Sequence, residues 1–158
     1  MGLKKPLVIN AGQIEQLQSG DTLDASCNEV DVVSMANGEE STITICQAVY
    51  VSDANEVGLG KADASGTAKL LGLVRATSIE AAASGSIQTD GILSATTGQW
   101  DAVTGDSGGL TANATYYLSA ATAGGLTSTP PSTGFVVRVG LAISTTDMDI
   151  SIENPIKL

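Results

Sequence analysis

"FVVRVGLAI", residues 135–143, followed closely by "DMDISIE", residues 147–153, decides how this chain folds. In the first run Phe135, Val137, Val139, Leu141 and Ile143 recur at every second position, with Arg138 and Gly140 on the opposite face. In the second, Met148, Ile150 and Ile152 alternate with Asp147, Asp149, Ser151 and Glu153. Successive side chains of a strand point to opposite faces, so this alternation predicts two half-buried strands with those apolar residues inward. The short "STTD" between them suits a hairpin, which makes the C-terminal end antiparallel.

The same pattern extends upstream. In "STITICQAVYVSD" (41–53) the residues Ile43, Ile45, Val49 and Val51 alternate, broken only at Gln47. "AKLLGLVRATSIEAAASGSIQTDG" (68–91) holds alanines that favour a helix, and Ser78 is placed to cap one. Gly72 and Gly85 and the shortness of the segment favour strand, turn and strand instead. "LSATTGQW" (93–100) echoes "LSAATAGGL" (118–126), which suggests two similar hairpins rather than a repeat array. The expectation is an all-β domain over residues 41–158, a compact antiparallel sandwich or small barrel.

Composition supports this. The 158 residues suffice for one domain, and 18 glycines with few charges suit short strands joined by tight turns. With one Trp, one Phe and three Tyr, the core must be built from Val, Ile, Leu and Ala. Seven basic residues stand against seventeen acidic ones, a net charge of −10. Phosphate backbones and anionic membranes call for clustered Lys and Arg, so neither nucleic acid nor membrane is expected as a partner. No stretch has the apolar length of a membrane span, and "MGLKKPLVIN" stops short of a signal peptide, so a soluble cytoplasmic product is expected. Cys27 and Cys46 make no disulfide framework, and Cys46, inside an apolar run, reads as a small buried hydrophobe.

"GDSGG" (105–109) matches the surroundings of a chymotrypsin-like nucleophile, which raises Ser107 as a catalytic candidate. A serine needs a base within hydrogen-bond reach, and the chain contains no histidine. Leu110 also follows where those proteases carry proline. The five residues read as a turn, and no catalytic residue is assigned. Zinc is excluded by the same lack of histidine. Asp101 and Asp106 flank the loop without the spacing of a calcium loop, and Glu39–Glu40 beside Asn37-Gly38 read as solvated. No glycine loop cradles a phosphate, so no metal and no cofactor is expected. Trp100 is the one residue suspected of recognition, against a reading as a core or interface plug.

Residues 1–40 differ from the rest. "KKPLVINAGQIEQLQSGDTLD" (4–24) and "NEVDVVSMANGEES" (28–41) contain a Pro-anchored start and a short strand ending at an Asn-Gly turn, with too few apolar residues for a core. They read as an extended arm preceding the β domain. Lys4, Lys5, Pro6, Leu7, Val8 and Ile9 are its candidate partner-binding residues: two cations in an acidic chain, then an apolar strand that could add to a neighbour's sheet edge. The alternative is that this segment packs back on its own domain as an edge strand.

"PLVINAGQIEQLQSGDTLD" (6–24) resembles the openings of small virion proteins of tailed bacteriophages. "GLTANATYYLSAATAGGLTSTPPSTGFVVRVGLAIS" (109–144) resembles the ends of β-rich phage head-decoration and fibre-associated domains, and "ICQAVYVSDANEVGLGKADASGTAKLLGLV" (45–74) does so more loosely. The resemblance implies a non-enzymatic capsid decoration (cement) protein on the exterior of the head. It would bind the major capsid protein or another virion protein as a homo-oligomer, with a trimer favoured. The alternative is a tail-fibre or receptor-binding module that recognises a host glycan, and a hydrolase using Ser107 is the remaining rival.

Overall fold

The computed structural model describes residues 30–158 and, ahead of them, the backbone of two strands, β1 (Leu7–Asn10) and β2 (Gln13–Gln16). These pair antiparallel, Leu7 opposite Gln16 and Asn10 opposite Gln13, as a two-stranded sheet of their own. Lys4, Lys5 and Pro6 lie outside the described residues; for Leu7, Val8 and Ile9 only the backbone is described.

Seven strands form the first half: β3 (Val32–Asn37), β4 (Ile43–Thr44), β5 (Ala48–Asp53), β6 (Glu56–Leu59), β7 (Leu70–Val74), β8 (Ser78–Ile79) and β9 (Ser84–Gln88). Five of them close a barrel in the order β3-β6-β5-β7-β9, while β4 pairs with β8. All barrel pairs are antiparallel except β3 with β6, a parallel contact of Ala36 with Glu56 and Asn37 with Val57. Ile43, Val49, Val57, Val74, Ile79 and Ile87 fill this half. Segment 68–91 is therefore strand and not helix, as its glycines suggest, but it holds a third short strand, β8, between β7 and β9. Gly72 has no room for a side chain, since a Cβ would meet the Gln88 carbonyl oxygen of β9.

The barrel begins earlier than the expected boundary at residue 41. Val32–Asn37, assigned from sequence to the arm, is a barrel strand, and it does end at the Asn37-Gly38 turn. Asn37 is buried because its side-chain amide donates to the carbonyls of Ser41 and Ile79, both at 2.8 Å. Buried polar groups are retained where such bonds satisfy them. The run 41–53 is also not one strand. Gln47 accepts from the Thr44 amide at 2.7 Å, Cys46 adopts a φ of 69°, and the resulting turn separates β4 from β5. Irregular pairing in β5 then shifts its parity, so Val49 is buried while Val51 is 50% exposed.

The second half comprises β10 (Gly91–Ser94), α1 (Thr97–Thr104), β11 (Thr115–Leu118), β12 (Leu126–Thr127), β13 (Phe135–Val136), β14 (Arg138–Ala142), β15 (Asp147–Ile150) and β16 (Ile156–Lys157). Its main sheet runs β10-β15-β14-β11-β12, and β13 pairs with β16. The hairpin that opened the reading is present: Gly140 faces Ile150, Leu141 faces Asp149 and Ala142 faces Met148. Met148 and Ile150 are fully buried, as are Val137 and Val139. Leu141 and Ile143 are not, and Ile143 is 49% exposed while Ala142 is buried. The cause is a bulge: Tyr116 pairs with Gly140 but Tyr117 with Arg138, so Val139 is an extra residue and the inward parity changes there.

The expected echo between 93–100 and 118–126 does not give two similar hairpins, because β10 leads into α1 whereas β11 turns back into β12. Thr96 caps α1: its hydroxyl accepts from the Gln99 amide at 3.3 Å while its own amide donates to Gln99 Oε1 at 2.8 Å. This reciprocal pair is a capping box. One continuous core joins the halves, bringing Cys46, Ala48 and Leu73 of the first together with Trp100, Tyr116, Val139 and Met148 of the second. At about 1.5–3 kcal/mol per buried large apolar side chain, neither half is expected to unfold alone.

Candidate functional site

The GDSGG loop is built by helix α1. Gly105 ends the helix in a left-handed conformation (φ 74°), its amide bonding the Asp101 carbonyl at 2.9 Å. This is the residue type such a helix end needs. The Asp101 carboxylate then reaches over the loop, accepting from the Gly108 amide at 3.1 Å and the Gly109 amide at 2.7 Å. Gly109 has a φ of 85°, and a Cβ there would run into the Thr145 carbonyl oxygen. Each glycine of the apparent protease motif thus answers a backbone demand. Ser107 is exposed at the tip. Asp101, weighed above as a calcium ligand, has both carboxylate oxygens committed to the loop. Among the described residues no group of three or more His, Cys, Asp or Glu is arranged to hold a metal ion.

Trp100, the suspected recognition residue, is fully buried in this chain. Its indole N–H donates to the Thr146 carbonyl at 2.9 Å, fastening α1 to the turn between β14 and β15. That turn carries a cluster of hydroxyls around one carboxylate. The Asp147 carboxylate accepts from the hydroxyls of Ser144 and Ser94, each at 2.5 Å, and of Thr146 at 3.0 Å. These hydroxyls, Ser144 foremost, hold the Asp147 carboxyl below its ordinary 3.8. Asp63 is also lowered, mainly by its hydrogen bond to Lys61, whose ammonium lies 2.8 Å away. Glu39, expected to be solvated, is half-buried and accepts from the Leu59 amide at 2.8 Å, so it secures β6. Cys46 is buried and its thiol is pushed up to about 12 by loss of hydration. Such a thiol is a packing group, not a nucleophile.

Two surface clefts stand out among the described residues. One of about 520 Å³ lies between β7 and the C-terminal tail, lined by Lys69, Leu71, Thr89, Ile152, Glu153 and Pro155 among others. The other, about 360 Å³, runs beside Ser119–Ala121 and the Pro130-Pro131 link. Among the described residues no helix is long and apolar enough to cross a membrane.

Exposed apolar side chains mark the edges instead: Val32 and Val33 on β3, Ile156 and Leu158 at the C-terminal end. The pairing of β3 is the feature that sequence reasoning missed, because its Asp31-Val32-Val33-Ser34 start lies within the assumed arm. The arm residues 4–9 and the β3 edge are the candidate binding elements, one in the N-terminal segment and one on the barrel. No protein-family model matches the chain, and no curated protein matches it either.

Proposed function

We propose that this chain is a non-enzymatic structural subunit of a tailed-phage virion, with decoration of the capsid exterior the favoured role. The observation that carries the reading is the hairpin β1–β2, which forms a sheet of its own ahead of a closed barrel. A two-stranded hairpin is marginal in water and gains stability by joining another sheet. A subunit that presents one is equipped to link to a neighbour through main-chain hydrogen bonds. The likeness of residues 6–24 and 109–144 to phage head-decoration and fibre-associated proteins supplies the virion context. Binding only to the mature lattice would stabilise that lattice by the binding free energy. The tail-fibre alternative draws less support, because Trp100, the ring best suited to stack on a sugar, lies in the core.

Imaging of virions labelled on this protein tests the reading. Label distributed over the head at many sites is the expected result. Label confined to tail fibres selects the alternative, and unlabelled virions overturn both.

A further inference from the structure

We infer that the first half of β3 is a docking edge that receives the N-terminal hairpin, β1–β2, of a second copy of this chain. Strand β3 pairs with β9 along its whole length, from Val32 opposite Gln88 to Ala36 opposite Ser84. With β6 it pairs only at Ala36 and Asn37. The amides show which side is left open. Thr89 donates to the Asp31 carbonyl and Asn37 donates to the Ala83 carbonyl, so odd-numbered residues of β3 face β9. Ala36 donates the other way, to the Asn55 carbonyl at the start of β6. By the alternation of an antiparallel ladder, the N–H and C=O groups of Val32 and Ser34 point to the same side as Ala36, where β6 has not yet begun. Among the described residues no strand covers them.

Soluble proteins blunt such edges with lysine, proline or a bulge. This one carries none of these and exposes Val32 by 40% and Val33 by 38%. The two ends of the five-stranded sheet are poorer sites: β12 has two residues, and β10 buries Leu93 and leads straight into the cap of α1.

The hairpin suits the open edge in length and charge. Leu7–Asn10 and Gln13–Gln16 are strands of four residues, matching the span Val32–Met35. Lys4 and Lys5 precede β1 ahead of any acidic residue, while exposed Asp31 stands at the start of the open β3 edge in a chain of net charge −10. Among the described residues β1 and β2 pair only with each other and no strand lies along this stretch of β3, which leaves hairpin and edge as the two matching halves of a contact between copies. Hairpin to β3 is a head-to-tail contact, which closes into a ring when the rotation permits. Self-association of this kind does not depend on the virion assignment and is measured without virions.

The test uses light scattering on the full chain and two variants. The wild-type protein should run as a multiple of its 15.9 kDa mass and dissociate on dilution. Ser34→Pro removes an N–H that faces the open side and none that faces β9, a position where strands accept proline. That variant should be monomeric with an unchanged circular dichroism spectrum. Should proline cost the fold, Val32→Lys on the same edge gives the same reading. A chain lacking residues 1–16 loses the hairpin but none of the core residues, and should also be monomeric. Mixed together, the edge variant and the truncated chain should form a one-to-one heterodimer, since one keeps the hairpin and the other keeps the edge. A monomeric wild-type protein at every concentration, an unchanged assembly in the edge variants, or no heterodimer on mixing would each overturn the inference.

Discussion

Replacing Asp101 by Ala separates a structural GDSGG loop from a catalytic one. The substitution removes the two hydrogen bonds by which the carboxylate holds the Gly108 and Gly109 amides. A bond to a charged acceptor contributes about 1.5–3 kcal/mol when sheltered and less when water competes. Gly109 is buried and Gly108 exposed, so a combined loss of about 2–3 kcal/mol is reasonable, weighted toward the shorter bond. Alanine is the better helix former and returns roughly 0.5 kcal/mol within α1. The net cost of about 1.5–2.5 kcal/mol corresponds to a melting temperature lower by roughly 3–10 °C for a domain of this size. Ser107→Ala, at the exposed tip, should stay within about 0.5 kcal/mol of the parent. Thermal melts of both variants, with a fluorophosphonate probe applied to the parent, supply the data. Equal melting of Asp101→Ala and parent would refute the loop-holding role. Stoichiometric labelling of Ser107, lost in Ser107→Ala, would refute the non-catalytic reading.

Three further outcomes follow from the core and the polar turn. Val139→Asp places a charge at a fully buried site and should cost more than about 4 kcal/mol, read as loss of the cooperative melt; a parent-like melt would contradict the inward face of β14. Because folding lowers the Asp147 pKa from 3.8, its contribution is present above that value and declines as pH falls through the folded one. Urea midpoints should therefore show Asp147→Asn most destabilised at pH 7, with the gap to the parent narrowing as pH falls below 3.8, and a constant gap would exclude the linkage. Cys46, with its thiol near 12, should resist iodoacetamide at pH 8 until the chain is denatured, as mass spectrometry of the alkylated peptide would show.

The strand content was legible because it is written in period-two alternation, and the residues that break it explain where the reading stops. Val137, Val139, Met148 and Ile150 were placed inward from spacing alone and are buried. Leu141 and Ile143 were misplaced because a bulge at Val139 is a property of the pairing with β11, invisible within β14 itself. The helix was missed although its signal was present. Thr96-Thr97-Gly98-Gln99 has the spacing of a capping box, but eight residues with a glycine carry too little periodicity to stand out. Cys46 in a left-handed conformation could not be anticipated, since only the surrounding turn makes that geometry tolerable. At the loop, the turn reading of GDSGG came from composition, whereas the holding role of Asp101 needed the structure, because its carboxylate reaches seven and eight residues ahead.

The proposed β3 contact and the proposed virion role support each other through magnitude. A four-residue strand added to the edge at Val32–Ser34 gains few main-chain bonds and covers little apolar surface beyond Val32 and Val33. Such an interface lies well below the roughly 1,200–2,000 Å² of a stable complex. Copies with a net charge of −10 also repel one another in free solution. An isolated pair should accordingly be weak and separate on dilution. Once neighbours are fixed on a lattice, the next contact becomes intramolecular, and its effective concentration rises to the millimolar range for a short tether. The same weak hairpin-to-edge contact that leaves the free protein in dynamic exchange would then lock into a closed ring, with the lattice supplying the proximity that the interface alone does not.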